Sequence, residues 1–243
     1  MARILVTGAS TGLGLLTAAS LCDAGHEVVL HARHPERIED RTVLGKVRGA
    51  VYGDLADLEA VRRIAEEADR YGRFDAVIHN AGVIRGPDIV AVNVIAPYAL
   101  AALMERPART IVVSSSLHRS GSPNRLAEQI AGRQDTGYND SKLFVTALVM
   151  GLARRWSDAL VHAVCPGWVP TRMGGPSATD DLAEGHRTQA WLATAREAEI
   201  EPRTAGYWHH RAPEQPHPAT LDHAVQDRLL AALAARTGIV LPE

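Results

Sequence analysis

The sequence is poor in cysteine and lysine, and neither sign of charge is in excess. Cys22 and Cys165 are the only cysteines among 243 residues. Two are too few for a disulfide framework or a cysteine-rich zinc site, so we expect buried thiols in a reducing compartment. The 26 basic and 28 acidic residues give a net charge of −2, which supplies neither the positive field of a nucleic-acid binder nor a polybasic membrane patch. No apolar run approaches the ~20 residues of a membrane span, and the N-terminus shows no signal-peptide pattern. We therefore expect a soluble, cytoplasmic protein with no nucleic-acid or membrane partner.

Strands and helices are predicted to alternate from the first residue. Hydrophobic runs predict strands, and apolar residues at helical spacing predict helices between them. This alternation is typical of an α/β fold, a doubly wound parallel sheet with helices on both faces. No linker divides the chain, so we expect one domain over residues 1–243, with 168–200 forming a substrate loop and helical lobe. The predicted strands are 3–7, 27–31, 50–52, 74–79, 110–114, 160–165 and 205–209. The predicted helices are 11–24, 57–70, 88–104, 138–156, 180–199 and 221–236.

Two of the predicted helices are apolar on nearly every side. Between 143 and 153 only Thr146 and Gly151 are not apolar, and 89–104 is interrupted only by Asn93, Pro97 and Tyr98. A helix of this kind must be buried on more than one side. The sheet covers one side, and either a neighbouring helix or a partner subunit covers the other.

A glycine-rich turn joins the first predicted strand to the first predicted helix. In this segment Gly8 permits a tight turn, Gly12 lets backbone approach a phosphate, and Gly14 allows close helix–strand contact. The N-terminus of the following helix offers free N–H groups to a pyrophosphate. The pattern therefore predicts a dinucleotide site, and the alternative is a glycine turn without a ligand.

Tyr138 and Lys142 are four residues apart in a predicted helix, so both side chains share one face. A neighbouring ammonium favours the phenolate and lowers the tyrosine pKa, which suits Tyr138 to acid–base catalysis. The chain uses arginine at 24 of its 26 basic positions, yet position 142 is lysine. Arginine does not replace a compact ammonium with rotatable donors.

Four motifs occur together in an order that resembles the short-chain dehydrogenase/reductase family. They are TGASTGLG at 7–14, Asn80-Ala81-Gly82, Ser114-Ser115 and YNDSK at 138–142. Together with a further match at Pro166, Gly167, Val169 and Thr171, these motifs span residues 7 to 171. The gap of 23 residues between Ser115 and Tyr138 is more similar to the retinol dehydrogenase and carbonyl reductase branches. The resemblance implies a Rossmann-type sheet, a nicotinamide cofactor, and hydride transfer to or from a carbonyl or alcohol substrate.

The resemblance also assigns roles to individual residues. Tyr138 is the implied catalytic acid, Lys142 binds the nicotinamide ribose and tunes Tyr138, Ser115 holds the substrate oxygen, and Asn93 anchors a proton-relay water. Three alternatives stay open: Ser116 in place of Ser115, an Asn93 that only bonds backbone, and Asp54 as a helix cap. The implied cofactor-binding residues are Gly8, Ser10, Thr11, Gly12, Leu13, Gly14, Arg33, Asp54, Leu55, Asn80, Ala81, Gly82, Tyr138, Lys142, Pro166, Gly167, Val169 and Thr171.

The end of the second strand predicts NADP(H) rather than NAD(H). The position that is acidic in NAD-binding relatives is Ala32, and Arg33 follows it, where a guanidinium can meet a 2′-phosphate. Alternatively, Arg33 packs on the adenine or points to solvent.

The substrate is expected to be an apolar ketone, aldehyde or alcohol. The candidate pocket residues are Trp168, Met173, His118, Trp191 and Trp208, of which Trp191 and Trp208 are alternatively packing residues. Rival functions are an NAD(P)-retaining epimerase or dehydratase, and a nicotinamide-sensing protein without turnover. Pairing of the two apolar helices predicts a homodimer or homotetramer.

A metal site is not expected. The histidines at 209, 210, 217 and 223 are close in sequence, but they lack cysteine neighbours and helical H-x-x-x-H spacing. Solvated loop histidines are the favoured interpretation.

Overall fold

The computed structural model of the chain describes residues 1–242. An eight-stranded sheet lies at its centre in the order β3-β2-β1-β4-β5-β6-β7-β8. Neighbouring strands are parallel from β3 to β7, and β8 runs antiparallel to β7. The strand order reverses between β1 and β4, the place where doubly wound sheets bind ligands. The α/β, doubly wound fold is therefore confirmed. The strands are β1 (Arg3–Val6), β2 (Glu27–Ala32), β3 (Gly49–Tyr52), β4 (Ala76–His79), β5 (Arg109–Val113), β6 (Leu160–Cys165), β7 (Gly206–His209) and β8 (Ala212–Glu214).

Helices cover both faces of the sheet and form two apolar cores. One core holds Leu5 and Val77 with α2, α3, α5 and α9, and the other holds Ile4 and Val6 with α1 and α7. Successive strand residues point to opposite faces, which explains why Leu5 and its two neighbours belong to different cores. The helices are α1 (Gly12–Asp23), α2 (Leu58–Asp69), α3 (Ala96–Leu103), α4 (Leu126–Ile130), α5 (Tyr138–Arg155), α6 (Leu182–Gly185), α7 (Arg187–Thr194), α8 (Pro218–Leu221) and α9 (His223–Thr237).

The two apolar helices are covered from within the chain. Every residue of α5 from Ser141 to Ala153 is buried, and α9 packs against it so closely that a Cβ at Gly151 would lie 3.4 Å from Leu230. In α3, the Tyr98 hydroxyl donates to the carbonyl of Ile239, 2.7 Å away. Two interpretations of the apolar faces were open, a neighbouring helix or a partner subunit. In this structure a neighbouring helix covers them. The homodimer or homotetramer stays a prediction. The apolar helix faces that suggested it are covered by other parts of the same chain.

The prediction of a single helix over 180–199 is wrong. The segment forms α6, α7 and a short 3₁₀ turn at Glu197–Glu199. The chain is pressed against the cleft wall at Gly185, where a Cβ would come within 2.9 Å of Leu13 and Val169. Ala195 takes an extended conformation and ends α7. Since α7 packs on β4, β5 and α1, this part of the predicted lobe covers the sheet.

The short edge strand β8 was not predicted. It pairs with β7 through a turn at His210 and Arg211, both with positive φ, 49° and 61°. Such turns are usually marked by glycine or asparagine, and neither is present. Pro213 within β8 also argues against a strand, although an edge strand tolerates it.

Within residues 1–242, no helix is long and apolar enough to cross a membrane.

Candidate active site

A cleft of about 620 Å³ lies at the carboxyl ends of the parallel strands. Its walls come from the segments that follow β1, β2, β3, β4, β5 and β6 and from the start of α5. All of the proposed cofactor-binding residues line this cleft, and so does Ser115. Asn93 alone among the proposed site residues is not in the cleft wall; it is 2% exposed and lies behind the wall. The fold therefore gathers segments that are far apart in sequence at one edge of the sheet.

The glycine-rich turn is held in a fixed shape by its neighbours. Gly8 and Gly12 have positive φ, 65° and 54°, a conformation that favours glycine. A Cβ at Gly14 would lie 2.4 Å from the carbonyl oxygen of Gly8. The Asn80 side chain donates to the carbonyls of Thr7 (3.0 Å) and Gly8 (3.2 Å), which ties the turn to the end of β4.

The N-terminus of α1 is open to an anion. Thr11 occupies its N-cap but makes no side-chain capping bond, and the first turn carries no acidic residue. Several N–H groups of a helix start lack partners within the helix, and the helix dipole favours negative charge there. The turn and α1 together therefore suit a pyrophosphate.

The end of β2 carries positive charge into the cleft. Ala32 is 1% exposed and offers no acceptor, whereas the Arg33 Nε lies 3.2 Å from an Asp54 carboxylate oxygen. This ion pair is half exposed, so we assign it little stability. Its consequence is geometric, because Asp54 holds the guanidinium at the cleft wall beside Arg37. The Asp54 side chain also accepts from the N–H of Ala56, but the alternative of Asp54 as a helix cap is wrong, because Asp57 is the N-cap of α2.

Arg172 was not predicted to lie at the site. Its guanidinium pairs with Glu39 at 2.7 Å, and the same carboxylate accepts from the Thr11 hydroxyl at 2.6 Å. The contact joins the loop after β6 to the glycine-rich turn. A lone arginine in a glycine- and proline-rich loop gives no periodic signal, so sequence reasoning had no means to find it.

The proposed catalytic groups meet at the first turn of α5. Tyr138 begins that helix, and burial raises its pKa to about 12, partly opposed by its hydrogen bond with Ser115. The Lys142 Nζ lies 5.6 Å from the centre of the Tyr138 ring. The pKa of Tyr138 is affected by Ser115 and not by Ser116, which favours Ser115 over Ser116 as the residue beside the reacting oxygen.

The expectation that Lys142 lowers the Tyr138 pKa is not met in this structure. Burial lowers the pKa of Lys142 itself to about 8, with a smaller opposing effect from Cys165, and its Nζ donates to the carbonyl of Val113 at 2.8 Å. Burial penalises the charged form of both groups and is the largest cause of both pKa shifts.

Asn93 sits in a widened π-helical turn, Ala91–Ile95, immediately before α3. Its side-chain oxygen accepts from the N–H of Val83 at 2.8 Å, and its amide donates to the Val83 carbonyl and the Ser141 hydroxyl. Two of these three bonds are to backbone, as in the alternative interpretation of Asn93, and the third is to a side chain. The relay role stays a prediction. The contacts fix the loop after β4 against α5.

The outer part of the cleft is apolar. Ile84, Leu117, Trp168 and Met173 line it and are 37%, 46%, 52% and 39% exposed. Large apolar side chains with this exposure are typical of a binding surface when they are grouped. Trp168 and Met173 were predicted for the pocket, and Ile84 and Leu117 were missed.

Three other predicted pocket residues lie elsewhere. His118 is buried and stacks on Tyr207 with ring centres 4.5 Å apart. Trp208 is 2% exposed and packs edge-on against Trp191 at 5.3 Å. The packing interpretation therefore holds for both tryptophans, and the placement of His118 in the pocket is wrong. The positions of Trp208 on β7 and Trp191 on α7 direct both side chains toward the core. Composition does not reveal this direction.

Comparison with known proteins agrees with this geometry. The family model for short chain dehydrogenases matches residues 2–182. The chain is 36% identical to short-chain dehydrogenase chry4 of Gibberella zeae, with 100% of this chain and 99% of that one covered. It is 28% identical to carbonyl reductase (NADPH) 1 of Macaca fascicularis, over 78% of this chain and 89% of that one. The crystal structure of NADPH-bound carbonyl reductase from chicken fatty liver has the same fold, with a TM-score of 0.68 at 19% identity, covering 89% of this chain and 99% of that one.

Proposed function

This chain belongs to the short-chain dehydrogenase family, and on that premise we propose that it is an NADP(H)-dependent carbonyl reductase or alcohol dehydrogenase. The substrate class is an apolar ketone or aldehyde, or the corresponding alcohol. The observation that carries the proposal is that Ser115, Tyr138 and Lys142 line the same cleft as the open N-terminus of α1.

The residues around the cleft fit a nicotinamide dinucleotide. The close approach of Gly14 to Gly8 and the uncapped start of α1 leave backbone N–H groups for a pyrophosphate. Ala32 repels no phosphate, and Arg33 and Arg37 supply positive charge beside it. The fatty-liver structure and the Macaca relative are both described with NADPH, which supports the same choice here.

The chain's own residues supply the proton and hold the reacting oxygen. A bound nicotinamide supplies or accepts the hydride. A Tyr138 pKa of about 12 keeps its hydroxyl protonated at neutral pH, so it can donate to the carbonyl oxygen. Ser115 donates a second hydrogen bond to that oxygen and stabilises its developing negative charge. The apolar outer cleft holds the rest of the substrate and excludes water.

The first experiment replaces the proposed acid by Tyr138→Phe and measures NADPH oxidation over a panel of apolar ketones and aldehydes. We expect turnover to fall by about 10²–10⁴-fold, with NADPH binding retained, because only the hydroxyl is lost. Tyr71→Phe, which changes a tyrosine outside the cleft, is the matched control and should keep full activity. More than half the wild-type rate in the Tyr138 variant, with chemistry limiting, would exclude Tyr138 as the acid. NADPH binding without turnover on any substrate or on the corresponding alcohols would favour a sensing protein.

The second experiment tests the cofactor preference. The double variant Ala32→Asp with Arg33→Ala removes the guanidinium and adds an acceptor for ribose hydroxyls. We expect the ratio of kcat/KM with NADPH to that with NADH to fall by about 10–100-fold, the value of one charge-assisted contact. Arg48→Ala is the control, because Arg48 is exposed and lies outside the cleft. Equal efficiencies in the wild type, or an unchanged ratio in the double variant, would refute the NADP(H) assignment.

A further inference from the structure

A group of metal-ligating side chains lies beneath the loop that borders the cleft. Asp180, His209 and His210 each offer one ligand atom, and these atoms all lie within 4.8 Å of one another. We propose that they bind one divalent transition-metal ion, of which zinc is the representative. Two imidazoles and one carboxylate form a donor set that suits zinc, with a fourth position left for water.

His209 is oriented as a metal ligand would be. Its Nδ1 lies 3.2 Å from a Glu214 carboxylate oxygen, while its Nε2 is buried and lacks a hydrogen-bond partner among the described residues. Metal-bound histidines usually donate their other ring nitrogen to a carboxylate, which fixes the tautomer and the ring. Glu214 is itself held by the Arg119 guanidinium at 2.7 Å, so the carboxylate cannot turn away without losing that bond.

The β7–β8 turn brings the second imidazole to the same place. The positive φ of His210 and Arg211 reverses the chain within two residues, and the two histidine rings end with centres 4.0 Å apart. Arg211 N–H donates to the Thr188 hydroxyl at 3.1 Å and fixes the turn against α7. No hydrogen bond links Asp180, His209 and His210 to one another in the described part of the chain, so no bond within the group has to break when their ligand atoms converge.

Binding requires only a small contraction of the group. Tetrahedral zinc with bonds of about 2.1 Å holds its ligand atoms roughly 3.4 Å apart. The observed spread of 4.8 Å or less can be closed by side-chain rotation, because His210 is exposed and Asp180 is partly exposed.

Asp180 would connect the metal to the cleft. A carboxylate oxygen of Asp180 accepts from the Trp168 N–H at 2.7 Å, and the Asp180 N–H donates to the Trp168 carbonyl at 3.0 Å. An ion on Asp180 would therefore fix the loop of residues 168–180 to the sheet edge, and with it the apolar wall formed by Trp168. The proposed role is structural, and it does not depend on the proposed oxidoreductase activity.

The binding experiment uses the untagged full chain, stripped with chelator and titrated with zinc chloride by calorimetry. We expect one site, and a rise in Tm of about 5–10 °C at a free zinc concentration 100 times the Kd. His209→Ala, His210→Ala and Asp180→Asn should each weaken binding at least tenfold. His210 is exposed, so its replacement preserves folding even if the other variants are impaired. His223→Ala is the matched control and should bind like wild type. No saturable binding by the wild type, or equal binding by the three variants, would overturn the site.

Limited trypsin digestion then tests the role of the ion. The Arg172 side chain is 72% exposed in the loop and is a cleavage point within it. Zinc should slow cleavage after Arg172 in wild type and in His223→Ala but not in His210→Ala. Zinc binding with an unchanged cleavage rate would show that the ion does not fix this loop.

Discussion

Replacing Lys142 with methionine should stabilise the fold and remove activity at the same time. Lys142 is 3% exposed, and burial lowers its pKa from 10.5 to about 8. At neutral pH the folded chain therefore carries a buried ammonium that would be better solvated in the unfolded chain. Methionine fills a similar volume without a charge.

The magnitude follows from the pKa difference. About 2.5 pKa units, at 1.36 kcal/mol per unit, correspond to a destabilisation of about 3 kcal/mol by the charged form. Methionine also removes the hydrogen bond from Nζ to the Val113 carbonyl, which costs about 1–2 kcal/mol for an unsatisfied buried acceptor. The variant should therefore be more stable than wild type by about 1–2 kcal/mol at pH 7.

The difference in stability between the variant and wild type should depend on pH, whereas a difference caused by packing alone would not. Below about pH 8 the lysine is protonated in both states, and the full penalty is present. Between about pH 8 and 10.5 the unfolded chain holds this proton more often than the folded chain, so wild-type stability rises with pH in that window. The advantage of the methionine variant should then shrink by about 2 kcal/mol between pH 7 and pH 9.5.

Urea unfolding at both pH values measures these differences, and a ketone panel with NADPH measures activity. Lys46→Met is a matched control, because Lys46 is the only other lysine and lies exposed beside Asp23. It should leave activity intact and should not gain stability. A Lys142 variant less stable than wild type at pH 7, or a difference independent of pH, would refute the argument from the buried ammonium.

Two further predictions concern acid stability and the glycine turn. Burial lowers the pKa of both His79 and His162 to about 4, so their neutral forms contribute stability that is full above pH 6.5 and is lost as pH falls to 4, by up to ~3 kcal/mol each. Urea midpoints measured across that window should fall, and a variant His162→Gln with the same pH slope as wild type would contradict this. Gly14→Ala forces a Cβ to within 2.4 Å of the Gly8 carbonyl and should destabilise the fold by roughly 1–3 kcal/mol, with at least tenfold weaker NADPH binding by fluorescence. Gly45→Ala, which adds its Cβ to open space, is the control, and equal losses in both variants would show that crowding at the turn is not the cause.

The sequence by itself determined the order of strands and helices and the edge of the sheet where the site lies. Hydrophobic periodicity reports which residues face a core, and a parallel β–α alternation leaves few topologies. The glycine-rich turn was predictable because only glycine meets its positive φ and close backbone approach. Tyr138 and Lys142 were placed on one helix face because four residues make about one helical turn.

Tertiary structure decided what depends on contacts between distant segments. The pKa of Tyr138 rises because packing buries it, an effect that no local motif reports. The apolar side of α5, which ends at Arg155, is covered by α9, which begins only at His223. Periodicity shows that a face is buried without showing what buries it. The Trp208 side chain points into the core because the register of β7 places it on that face of the sheet. A shift of one residue in register would turn it to the opposite face. Asp180 meets His209 and His210 only through the β7–β8 turn, whose backbone conformation no glycine marks.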